Sequence, residues 1–171
     1  MALLPFGKGL RSLRGREGSR LTDNVVQYKK RSHVRVEPII DHVDEALEKS
    51  LPMLLPSIEA YSRNVSRDNV IEDLLDQSAL LWHVYIEDTL AAAFTTVVHH
   101  HPQRKTLFIE FMGGVDMKVW MKAALKVLKE ICVRGDLSAI EADGRTGFTR
   151  FAEDNGFVET HRHFEMEISR G

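Results

Sequence analysis

The chain has 171 residues, 43% of them hydrophobic, a formal net charge of -2 and a single cysteine. That length suits one domain with its own core and is short for two, and one cysteine excludes an internal disulfide framework and a Cys-rich zinc site. No apolar run approaches the roughly 20 residues that a membrane-spanning helix needs, so a soluble protein of the cytoplasm with no membrane partner is expected.

The charge is unevenly placed. Residues 1–36 hold nine Lys or Arg against Glu17 and Asp23, a net +7, which leaves -9 for the remainder. Gly7, Gly9, Gly15 and Gly18 interrupt this segment, so Leu3, Phe6, Leu10 and Leu13 cannot hold a helix despite their spacing. An Arg-rich, acid-poor start also fits a mitochondrial transit peptide. The preferred reading is a basic extended arm, residues 1–32, ahead of a domain over 33–171. The arm is expected to dock on a protein partner or within a homo-oligomer through Arg11, Arg14, Arg16, Arg20, Lys29, Lys30 and Arg31. Only Phe6 and Tyr28 offer stacking platforms, which makes nucleic acid the weaker partner.

Ser32 to Ile40 alternates as a first strand until Pro38. Asp41 is placed to cap a helix carrying Val43, Leu47 and Leu51, interrupted or ended near Pro52 and Pro56. Asn69 to Glu72 has capping-box spacing for a second helix with Ile71, Leu74 and Leu75 on its apolar side. Leu80–Glu87 and Leu90–His99 read as a hairpin turning at Asp88-Thr89, and Thr106–Met112 as the next strand, which Gly113-Gly114 breaks. With Asp116 as cap, a helix runs to about Arg134 and stops at Gly135. Its inner stripe is Trp120, Ala124, Val127, Leu128 and Ile131, and its lysines 118, 122, 126 and 129 form a solvated face. Cys132 on this helix reads as a buried thiol. Leu137–Ala142 is a strand, Arg145–Asn155 a short helix with Phe148, Phe151 and Ala152 inward, and Phe157–Ile168 alternates as a last strand.

Strand, two helices, three-strand meander, long helix, strand, short helix, strand, closing on GRTGFTRFAEDNGF, resembles the GNAT (N-acetyltransferase) superfamily over roughly residues 33–168. The resemblance implies an α/β (α+β) fold: a mixed, mostly antiparallel central sheet flanked by helices. It also implies an acetyl-CoA site at the turn before the long helix, where orphan amides and the helix dipole favour an anion. Gly113, Gly114, Val115 and Lys118 fall on that turn, with Arg145 as a second anion ligand; a salt bridge from Arg145 to Asp143 or Glu141 is the plainer alternative and the preferred one. The family's usual Arg/Gln-x-x-Gly-x-Gly/Ala is not kept: the arginine is missing and Asp116 places negative charge where phosphates would lie. The tyrosine that family members use as general acid matches Ala152, with Thr149 three residues earlier. Glu110 and Glu141 are the candidates for a general base.

The motif Gly144-Arg145-x-Gly147-Phe148, following a GG-Asp-Met turn and a Trp-bearing helix, is also similar to divergent GNAT-like proteins encoded near virion genes of tailed phages. These departures favour a GNAT-fold protein with a degenerate acetyl-CoA loop and no cofactor, a structural or assembly component of host cytoplasm or virion that docks through its arm. The alternative is an acetyl-CoA-dependent N-acetyltransferase with an atypical phosphate loop; a nucleic-acid-binding module driven by the arm is a third reading. His99, His100 and His101 crowd one turn and His161 and His163 share a strand face, but neither set supplies a third and fourth ligand at defined spacing, so no metal is expected.

Overall fold

The computed structural model describes residues 32–61, 63–144, 146–162, 164–166 and 168. The arm cations Arg11, Arg14, Arg16, Arg20, Lys29, Lys30 and Arg31, together with Arg145 and His163, lie outside those residues. Strand β1 (Val34–Ile39) is followed by helices α1 (Val43–Ala60) and α2 (Arg67–Leu75). Strands β2 (Leu80–Ile86), β3 (Thr89–His100) and β4 (Lys105–Gly114), helix α3 (Met117–Arg134), strand β5 (Ala139–Ala142), a 3-10 turn (Thr146–Phe148) and helix α4 (Thr149–Asp154) complete the order. The five strands lie in sequence order in one sheet. The first four are antiparallel, and β5 runs parallel to β4 after the α3 crossover.

Side-chain alternation assigns the two faces of the sheet. Trp82, Val84, Ala92, Phe94, Leu107 and Ile109 pack with Trp120, Met121, Ala124, Leu125, Leu128 and Cys132 of α3. Leu81, Ala93 and Phe111 pack on the other face with Leu47, Leu54 and Ile58 of α1 and Val70 and Leu74 of α2. On the α3 side the rings of Trp82 and Phe94 stack 5.6 Å apart and those of Phe94 and Trp120 6.3 Å apart. The indole N–H groups are satisfied by Thr96 Oγ1 at 2.9 Å and by the Val115 carbonyl at 2.8 Å, so the largest buried rings leave no orphan donor.

Expectations for four segments are corrected. First, α1 passes through both Pro52 and Pro56 rather than ending there. Each interior proline costs about 3 kcal/mol, but Leu47, Leu54 and Ile58 on the same helix are essentially fully buried, and burial of such side chains stabilises by about 1.5–3 kcal/mol each. The helix also starts from His42, at φ 52° with no side-chain cap, and not from a cap at Asp41. Second, α2 opens three residues earlier than the Asn69 box: Ser66 Oγ accepts from the Asn69 amide at 3.2 Å and Asn69 Oδ1 from the Ser66 amide at 3.1 Å. Third, Gly113 and Gly114 extend β4 rather than break it, still paired with Ala93 and Ala92. Fourth, the described residues of 157–168 form no strand, and Val158, Phe164, Met166 and Ile168 are exposed. Alternation there defines a face, but a strand also needs a neighbour for its backbone groups, and among the described residues the short β5 pairs only with β4.

Candidate functional site

The site region begins where β4 leaves β5. Their ladder runs from Thr106–Ala139 to Ile109–Ala142 and stops, while β4 continues to Gly114. From Glu110 onward, β4 has a strand neighbour among the described residues only on its β3 side. The same place carries a β-bulge: Phe94 pairs Met112 and Thr96 pairs Ile109, so Glu110 and Phe111 together oppose Thr95. The extra residue reverses the alternation. Ile109 faces α3, and Phe111, two residues on, packs with the α1 and α2 core. Thr95 Oγ1 accepts the Phe111 amide at 3.1 Å and holds the bulge, a device that re-aims side chains beside functional sites.

Glu110 sits on this bulge, half-buried. Burial first, and the negative charge of Asp73 on α2 second, push its carboxyl above the usual range. No cation among the described residues pairs with it. The other expected base, Glu141, is differently held: Arg104 Nη2 donates to its Oε1 at 2.6 Å and Thr106 Oγ1 to its Oε2 at 3.0 Å. Both oxygens of Glu141 are thus engaged by donors, whereas the Glu110 carboxylate accepts no hydrogen bond from the described residues.

The turn from β4 into α3 brings Gly113, Gly114, Val115 and Lys118 together, and each has a definable task. A Cβ on Gly113 would lie 1.7 Å from the Met53 carbonyl oxygen of α1, so the glycine allows two backbones to touch. Gly114 has φ 135°, and a Cβ there would meet the Ala91 carbonyl at 2.4 Å. The Val115 amide is spent on the Ala91 carbonyl at 2.9 Å. Asp116 occupies the N-cap position at φ 53° without a side-chain cap bond, its carboxylate exposed at the helix start. The amides of Met117 and Lys118 precede the first intrahelical donor and, with the exposed Lys118 ammonium, are the groups left to meet an anion.

Ala152 is half-buried on α4, where its carbonyl accepts from Asn155 and Phe157 amides at 3.0 Å each. It offers no acid. One titratable group escaped the sequence reading: His83, in the middle of β2, is 3% exposed. Its Nδ1 lies 3.3 Å from the Tyr85 hydroxyl, and its Nε2 has no hydrogen-bond partner among the described residues. Burial first pulls its pKa below the ordinary value; the Ala46 carbonyl, close but outside hydrogen-bonding geometry, and the Glu37 charge oppose the shift, while Lys49 adds to it. The only sequence signal was a polar residue inside an apolar strand, which alternation on an exposed face would explain equally well.

No family model and no curated protein matches the chain. Solved structures do. It superposes on glucosamine-6-phosphate N-acetyltransferase from Arabidopsis thaliana with TM-score 0.56 and 12% identity, covering 81% of this chain and 100% of that one. The ribosomal-protein-alanine N-acetyltransferase from Brucella melitensis biovar Abortus 2308 gives 0.57 and 14%, over 80% and 100%. A GNAT family acetyltransferase from Staphylococcus aureus subsp. aureus gives 0.55 and 15%, over 80% and 99%. The fold is therefore the GNAT fold, with a mixed sheet flanked by helices.

Proposed function

We propose that this protein is an acetyl-CoA-dependent N-acetyltransferase with an atypical phosphate-binding loop, in which Glu110 is the general base. The observation that supports this reading is the setting of Glu110, a half-buried carboxyl with a raised pKa, on a bulge where β4 parts from β5. Such a group is a better proton acceptor near neutral pH than a solvated carboxylate. In the reaction an amine nitrogen bonds to the thioester carbonyl carbon, the C–S bond breaks and the ammonium proton passes to Glu110. The departing thiolate takes its proton from solvent, because Ala152 stands where a side-chain acid would.

The residues fit acetyl-CoA in part. The free end of α3 and Lys118 favour its pyrophosphate, while Asp116 repels it and Val115 has no amide to give. Weak binding and slow turnover follow. A second reading rests on these same two residues and on the packing of Gly113 against α1: a GNAT-fold protein without catalysis, an assembly component that docks on a protein partner through the basic arm of residues 1–32.

Calorimetric titration of acetyl-CoA into the full chain, with thiol release followed across a panel of primary amines, separates the two. The transferase reading expects measurable binding and a turnover that Glu110→Gln lowers at least about a hundredfold, the lower range for a general base. Absence of both binding and thiol release overturns it and leaves the assembly component.

A further inference from the structure

We propose that His99, His101 and Glu141 form a binding site for a divalent transition-metal ion of the zinc class, with coordination positions open to solvent. One ligand atom from each of these three side chains lies within 4.8 Å of the other two. His101 Nε2 and Glu141 Oε2 are 3.8 Å apart. Ligands at about 2.0–2.1 Å from a tetrahedral zinc stand about 3.4 Å from one another, so the cluster closes on an ion through side-chain movements of about 1 Å.

The sheet makes this convergence. His99, on β3, and His101, one residue past its end, are two apart in sequence, and their ligand atoms fall on the same side as Glu141. Thr106 of β4 pairs with His99, and Phe108 pairs with Glu141 of β5, so one face carries both imidazoles, the carboxylate and the two residues between them. Those two orient the ligands. The His99 ring stacks on Phe108 with centroids 4.7 Å apart. Thr106 Oγ1 lies 3.3 Å from His101 Nε2 and donates to Glu141 Oε2. Arg104 holds the other carboxylate oxygen, Oε1, which turns Oε2 toward the histidines. Hydrogen bonds from neighbouring side chains to a ligating carboxylate, as Thr106 and Arg104 make to Glu141, are the usual outer layer of a metal site.

The donor set selects the ion. Two imidazoles and one carboxylate suit Zn, Co, Ni or Fe over Mg and Ca, which require more oxygen ligands. Three protein ligands are one short of a closed tetrahedron, and His101 is exposed, so the remaining position faces water. The Arg104 guanidinium offsets the Glu141 charge and keeps affinity moderate. This site uses neither Glu110 nor the α3 turn and stands whether or not the protein transfers acyl groups.

The test is calorimetric titration of Zn2+ into the tag-free, metal-stripped full chain, with visible absorption of the Co2+ form as a second readout. One equivalent of Zn2+ is expected, with Mg2+ giving no heat. His101→Ala and Glu141→Gln should each weaken binding by tenfold or more, since even the outer partners of ligands are worth about 10–100-fold. His100→Ala, outside the cluster, should leave it unchanged. Circular dichroism verifies folding of each variant, and Thr106→Val, expected to weaken binding without removing a ligand, serves if a ligand variant unfolds. No binding by the parent chain, or equal binding by the parent and His99→Ala/His101→Ala, overturns the proposal.

Discussion

The hydroxyl of Thr95 accepts a hydrogen bond from the Phe111 amide at 3.1 Å across the β3–β4 ladder, with Thr95 fully buried. The bond replaces the backbone partner that the bulge denies to Phe111. Through it, one side chain on β3 sets the direction of Glu110 and Phe111 on β4.

Thr95→Val keeps the shape of that side chain and removes the acceptor. A buried N–H left without a partner costs about 1–3 kcal/mol, and urea unfolding should show a loss in that range. Thr95→Ser, which retains the hydroxyl, should lose less. If Val and Ser are equally harmless, packing alone holds the bulge.

Glu110 has its pKa raised, so the folded state binds a proton more tightly than the unfolded chain does. Stability from this group is greatest at or below the ordinary glutamate range and falls as pH rises through the elevated value. Glu110→Gln should therefore flatten stability against pH over that interval and leave the protein at least as stable at neutral pH, while thiol release falls. A variant that is less stable than the parent at pH 7 would contradict this assignment.

His83 works in the opposite sense. Its pKa is lowered by burial from the ordinary value of 6.5, so its contribution is present above about pH 6.5 and is lost as pH falls below it. Lys49 and Glu37 face the ring with opposite signs and only modify the shift. His83→Phe should remove this acid-side loss, read as urea midpoints between pH 7 and 5. An unchanged slope would mean that the ring protonates freely in the folded state.

Gly113→Ala tests what the glycine does. The added methyl would meet the Met53 carbonyl, which is backbone and cannot rotate away, so the loss should match or exceed the 1–3 kcal/mol typical of overpacking. Asp116→Asn, which tolerates the φ of 53° as Asp does, should leave the unfolding midpoint nearly unchanged and tighten acetyl-CoA about two- to fivefold by removing a repelling charge. Thermal unfolding and calorimetry on both variants distinguish the roles.

Element order was legible because the periodicities are strong. The α3 stripe and Gly135 placed the end of that helix at Arg134, where it is, and apolar runs located β2 to β4. What local pattern could not carry was anything decided across the sheet. The β4 bulge is invisible in Ile109-Glu110-Phe111-Met112, since a register slip of one residue leaves composition untouched. The convergence of His99 and His101 with Glu141 depends on two ladders, one of them made by the α3 crossover. Continuity of α1 through two prolines was decided by its packing on the sheet, not by propensity.

Gly113 has a meaning for descent as well as for stability. A glycine in the phosphate turn of this fold is ordinarily taken as a trace of the ligand, something that drifts once the ligand is lost. Here α1 itself forbids any larger residue, so selection for folding alone would preserve it. The glycine therefore answers to packing whether or not a ligand binds, and its presence alone carries no record of acyl transfer.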